Sequence, residues 1–161
     1  MVRVETPLLV LGPGPGALVA AKVAGACGQP CLLVGHDLAG GETPVALDAT
    51  AVALLAEHGV LDVLRPCLLA GDPPSIAPRQ FEAILKQHCV ADLNVGVYDR
   101  MEVVDRVVVG RSLRGILTGG TRRWELVADA WIDGAALAMS LPAAIGDGVA
   151  AAREAITMRR S

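Results

Sequence analysis

From Leu8 to Gly35 the chain reads LLVLGPGPGALVAAKVAGACGQPCLLVG. Two short aliphatic runs flank a stretch of small residues, and three glycines alternate with two prolines where the first run ends. Few architectures accept that order. Residues 8–11 and 31–34 suit strands buried on both faces. The span between them reads as a helix over about 16–27, closed by Gly28 and Pro30. Gly12 permits a tight turn out of the first strand, Gly14 lets backbone approach a phosphate, and Ala17 is small enough for close packing of helix on strand. Pro15 and Gly16 fall in the first helical turn, whose leading N–H groups and positive dipole end favour an anion. Read this way, the segment is a βαβ unit that opens a dinucleotide-binding fold. The bland alternative, a glycine-rich connection with no ligand, gives no reason for a second strand at this distance.

With 161 residues, of which 53% are hydrophobic and 19% charged, the chain is expected to form one domain with a substantial core. Aromatic residues are confined to Phe81, Tyr98, Trp124 and Trp131, so small aliphatics must do the packing. A net charge of −3 with interspersed signs and few aromatics speaks against nucleic-acid binding. The N-terminus has neither a secretory signal nor a membrane span, so a cytoplasmic location is expected. Cys27, Cys31, Cys67 and Cys89 form no CxxC pair and read as small buried hydrophobes. His36, His58 and His88 lie in unlike contexts, so no metal site is expected.

Beyond the opening unit, residues 35–44 form a loop, and Asp48 is placed to cap a helix running to about Glu57, which Gly59 ends. A short helical turn follows at 61–64, then a proline-rich connection over 65–78. Pro78 suits the first position of a helix with Phe81, Ile84 and Leu85 on its apolar face. The period then changes to two. Strands are expected at 93–98, 102–109, 113–118 and 122–127, with Gly110 and Gly119-Gly120 at hairpin turns. Residues 130–132 read as one more strand, with Asp129 and Asp133 capping its ends, and 147–156 as a closing helix. The resulting class is α/β, a Rossmann-like parallel sheet with flanking helices and an antiparallel three-stranded meander.

These residues resemble the FAD-dependent oxidoreductases of the glutathione-reductase-like superfamily, including the aromatic-ring monooxygenases. Gly12-Pro13-Gly14-Pro15-Gly16-Ala17-Leu18 is similar to their GxGPAGL opening, with the Gly and Ala after Pro15 exchanged. Leu38-Ala39-Gly40-Gly41 resembles the LGG loop after the second strand. Residues 45–64 resemble the family's next helix and turn, residues 76–85 the start of a later helix, and 126–135 its "(V)RAD-VVDATG" strand. Ile145-Gly146-Asp147-Gly148 resembles the late GD motif, whose Asp touches the ribityl chain of the flavin.

The resemblance implies FAD as cofactor, held by Gly12, Gly14, Pro15, Gly16, Ala17, His36, Asp37, Gly41, Gly146 and Asp147. Asp147 has a second reading, a plain helix N-cap, and His36-Asp37 a second reading as a solvated loop. Where the family ends its second strand in an acid that binds the adenosine ribose, this chain has Gly35, twenty-three residues after Gly12. Losing such a charge-assisted hydrogen bond costs roughly 1.5–3 kcal/mol. The chain is also shorter than those enzymes and is expected to lack their substrate domain.

Two functions follow. One is an FAD-binding oxidoreductase domain whose flavin is covered by a homodimer mate or a partner oxidoreductase subunit. The other is a non-catalytic descendant serving as a binding or structural subunit. A nucleotide sensor holding only the ADP portion is a third. No Ser-His-Asp set or carboxylate pair emerges, so any chemistry would be the cofactor's.

Overall fold

The computed structural model describes residues 1–35, 37, 38 and 40–160. Strand β1 (Arg3–Leu11), helix α1 (Pro15–Ala26) and strand β2 (Cys31–Val34) form the expected βαβ unit. The two strands pair in parallel, with Leu9 opposite Leu32 and Leu11 opposite Val34. Next come β3 (Val45–Ala46), α2 (Ala49–Glu57), α3 (Leu61–Leu64) and β4 (Ser75–Ile76); β3 and β4 pair as a small antiparallel ribbon. Helix α4 (Pro78–Ala91) returns the chain to β5 (Val95–Tyr98), which adds to β2 in parallel. Strands β6 (Glu102–Val109), β7 (Ser112–Gly119) and β8 (Arg122–Asp133) follow as an antiparallel meander, and α5 (Leu141–Arg160) closes the fold.

The main sheet runs β5-β2-β1-β8-β7-β6. Its first four strands are parallel and its last three antiparallel. The α/β class read from the sequence is the one observed. Two-residue connections at Gly110-Arg111 and Gly120-Thr121 join the meander, with both glycines at positive φ as such tight hairpins require.

One boundary expectation fails in an informative way. Segments 122–127 and 130–132 are a single strand, and Asp129 lies inside it. The cause is β1, which pairs along β8 from Arg3↔Glu125 to Leu11↔Asp133. Residues on these two strands also change layers. Val4, Leu126 and Ala128 pack towards the meander, whereas the same parity further on, Leu8, Val10, Ala130 and Ile132, packs towards the helices. The switch falls at Pro7, a residue without a backbone donor, which the register steps over between Thr6↔Ala128 and Leu8↔Ala130. The result is three layers: helices, parallel sheet and meander. One core holds Leu18, Phe81, Leu85 and Ile145 under the helices, and the other holds Leu9, Leu11, Leu113 and Leu117 under the meander.

Asp48 caps α2 as expected, accepting from the Ala51 N–H at 2.8 Å. Removing it by Asp48→Ala should cost about 1 kcal/mol, a fall of roughly 2–4 °C in thermal unfolding. Helix α5 departs more from expectation, beginning at Leu141 rather than Asp147. The Ala144 N–H donates to the Ser140 carbonyl at 2.8 Å, and Pro142, a first-turn residue, is the signal the sequence offered. Cys31 and Cys89 are buried, and burial pushes both thiols up to about 12; Cys67 is half-buried and Cys27 is exposed, against expectation. Among the described residues no helix is long and apolar enough to cross a membrane.

Candidate functional site

Chain order in the parallel sheet reverses between β1 and β8: β2 and β5 add on one side of β1, and β8 returns on the other. In open α/β sheets a crevice forms at the carboxyl ends of the strands where the order reverses. At that point the structure brings together the glycine loop after β1 and the segment after β8.

The loop is tied down by the Gly12 N–H, which donates to the Val34 carbonyl at the end of β2, 2.8 Å away. Gly14 occupies the N-cap of α1 at φ 107° and ψ 158°, a conformation closed to L side chains. No side chain caps α1, and Pro15 carries no N–H at its first position. The remaining first-turn donors and the positive end of the helix are therefore what the chain offers an anion here.

From β8, Gly134 runs so close to the loop that a Cβ on it would strike the Leu11 carbonyl and lie 2.7 Å from the Pro13 carbonyl. Asp133 accepts from the Ala135 N–H at 3.0 Å and turns the chain into a strap, residues 134–140. The strap then crosses the glycine loop. A Cβ on Gly14 would lie 3.0 Å from the Met139 Sδ, and one on Gly16 would lie 2.9 Å from the Leu137 Cδ1. Gly16 thus serves helix packing: its own carbonyl would be 2.5 Å from a Cβ on Gly148 of α5.

Asp147 and Gly146 sit within α5, so neither marks the start of a helix. The Asp147 carboxylate accepts from the Ala138 N–H at 2.8 Å and holds the strap in place. The helical dipole end expected at Asp147 lies instead at Leu141.

At the end of β2, Gly35 has φ 72°, so an acidic residue here would be strained as well as newly charged. Gly35 and Asp37 line a polar cleft of about 590 Å³ with Arg100, Glu102, Thr118 and Gly119. Arg100 holds a left-handed φ of 57° at its rim. His36 and Ala39, the remaining parts of this region singled out from sequence, lie outside the described residues.

Beyond the cleft the chain turns at Gly40-Gly41. Glu82, fully buried in α4, accepts from the Gly40 N–H at 2.6 Å, and the Arg79 N–H donates to the Gly41 carbonyl at 3.0 Å. Gly41 itself is exposed. The sequence reading missed Glu82, Leu137 and Met139. Glu82 sits among the apolar positions of α4, but nothing in its spacing signals a backbone partner 42 residues away.

No protein-family model and no curated protein matches the sequence. Solved structures do. The chain superposes on p-nitrophenol 4-monooxygenase PnpA from Pseudomonas putida DLL-E4 with a TM-score of 0.67 and 16% identity, over 83% of this chain and 41% of that one. The flavin-dependent monooxygenase PieE, solved with FAD and substrate, gives 0.67 and 17% over 80% and 30%. OxyS, the anhydrotetracycline hydroxylase of Streptomyces rimosus, gives 0.64 and 15% over 81% and 31%. The fold is that of the flavoprotein monooxygenases, and this chain spans less than half the length of each.

The residue types here suit the adenosine-diphosphate half of a dinucleotide, while Gly14, Pro15, Gly16 and Ala17 are buried in this structure. A glycine turn leads to an uncapped helix N-terminus, and a polar cleft lies at the end of the neighbouring strand. The strap lays the exposed Met139 thioether over Gly14 and Leu137 over Gly16. The polar cleft at the end of β2 is not lined by Gly12, Gly14, Pro15, Gly16, Ala17, Gly41, Gly146 or Asp147.

Proposed function

We propose that this chain is an FAD-binding domain that serves an oxidoreductase. The observation that carries it is Gly14 at φ 107°, poised at the uncapped end of α1 where the sheet order reverses. Gly12, Gly14, Pro15, Gly16 and Ala17 would hold the pyrophosphate through backbone. Asp37, with Arg100, Glu102 and Thr118 around it, would receive the ribose and adenine in place of the acid that Gly35 lacks. Bound FAD would supply electron transfer at its isoalloxazine ring. The chain's own contribution is to bind and orient. Covering the ring would fall to a second copy or a partner oxidoreductase subunit in the cytoplasm.

Titration of the purified protein with FAD, and separately with ADP, tests this reading. At ligand 100 times Kd, binding specific to the folded state adds about 2.7 kcal/mol, a rise of roughly 5–10 °C in unfolding temperature. Met139→Ala, which clears the loop, should tighten binding of both ligands, and Gly14→Val should abolish it. If neither ligand stabilises the wild type or Met139→Ala, the second reading takes over. That reading is a non-catalytic binding or structural subunit, and Met139 on Gly14 with glycine at 35 is what favours it. Stabilisation by ADP equal to that by FAD would mark the chain as a sensor of the ADP portion.

A further inference from the structure

Strand β8 changes partners along its length. On one side β7 pairs with it only as far as Leu113↔Ala128. On the other, β1 continues to Leu11↔Asp133. Residues 129–133 therefore have a strand on the β1 side alone among the described residues, although they belong to the middle of the sheet. Beside this open edge runs a groove of about 570 Å³. Its far wall is α5, which presents the small side chains of Ala151 and Ala155, with Met158 at one end.

At the start of the open edge the Asp129 carbonyl accepts from the Ser112 hydroxyl at 3.5 Å; beyond it, a strand edge without a neighbour offers peptide groups in the plane of the sheet, where an extended chain can form a ladder. The groove supplies what alternating side chains need. Those turned to the helix layer would meet Ala151 and Ala155, and those turned to the meander layer would meet half-buried Trp131. Among the described residues its charge is mostly negative: Asp129, Asp133 and Glu154 line it with one cation, Arg111, whose guanidinium donates to the Met158 carbonyl at 3.3 Å.

We propose that this groove is a docking site for an extended segment of another polypeptide, apolar at alternate positions and carrying lysine or arginine, which adds to β8 as a further strand. The chain's own outer strands do not match that chemistry. β5 is uncharged Val-Gly-Val-Tyr, and β6 breaks register between Val104 and Val107, around its only basic residue. Ala136 and Leu137 at the end of the groove belong to the strap over the glycine loop, so the groove adjoins that loop.

A fluorescein-labelled peptide of alternating valine and lysine, followed by anisotropy with the full chain at physiological salt, tests the proposal. The same peptide with alternate amides N-methylated keeps its charge but cannot form the ladder. Saturable binding is expected, weakened about tenfold or more by N-methylation. Asp129→Lys with Glu154→Lys, both exposed, should weaken it similarly with an unchanged melting curve. Hydrogen exchange should slow at 129–133 in the complex. Absence of saturable binding, equal binding of the methylated peptide, or indifference to the charge reversal would overturn the proposal. A concentration-dependent dimer that the peptide dissociates would assign the edge to a second copy instead, and would overturn it too.

Discussion

Gly134→Ala should lower folding stability by about 3 kcal/mol, a drop of roughly 6–12 °C in the midpoint of thermal unfolding. A single methyl does this because the atoms it would meet are backbone. The Leu11 and Pro13 carbonyls face it, with the Ala17 Cβ 3.0 Å away. None is the free end of a side chain that can swing aside. To accommodate the methyl, the end of β8 must withdraw from the end of β1, and the glycine loop must move with it. If the chain holds a dinucleotide as proposed, the variant should lose that binding together with stability. Met139→Ala, by contrast, should leave the melting temperature nearly unchanged, since Met139 is 54% exposed. A Gly134→Ala protein that melts within a degree or so of wild type would mean that these strand ends are loosely held.

Glu82→Ala should cost about 3 kcal/mol. It deletes a fully buried carboxylate and strands the Gly40 N–H that donates to it at 2.6 Å. Glu82→Gln keeps an acceptor of the same shape and should lose less. The loss in the glutamine variant relative to wild type measures the charge-assisted part of the bond. Beyond stability, the alanine variant should free the Gly40-Gly41 turn, read as faster amide exchange there and easier proteolysis between β2 and β3. A glutamine variant as stable as wild type would show that the bond contributes nothing through charge.

The βαβ opening was legible because its signals are local: aliphatic runs of strand length, a glycine turn, and a helix ended by Gly28 and Pro30. The caps at Asp48 and Pro78 were legible for the same reason. What stayed hidden depends on partners distant in sequence. Asp129 reads as the end of a strand until β1 is known to run beside it. Asp147 reads as a helix start unless Pro142 is taken as the first-turn signal. At the candidate site, the glycines were found by spacing, but the strap that crosses them was not. Residues 134–140 are small and apolar without period, and only the packing of α5 on α1 decides where they lie. Gly35 was noticed for the side chain it lacks. The structure adds that its backbone, at φ 72°, suits glycine for a separate reason.

Strands β1 and β8 each serve both cores, and their pairing joins residues as far apart as Arg3 and Glu125, 122 positions along the chain. The order of assembly follows. Contacts at such separation close a long loop before they yield any stabilisation, and so form late and slowly. On a ribosome β1 and α1 emerge well before β8, so β1 has β2 on one flank and nothing on the other until β8 has been made. During that interval Leu8, Leu9 and Val10, fully buried in the finished protein, border an unpaired strand edge. The segment that opens the sheet is thus the one that waits on β8, more than a hundred residues later, to protect it.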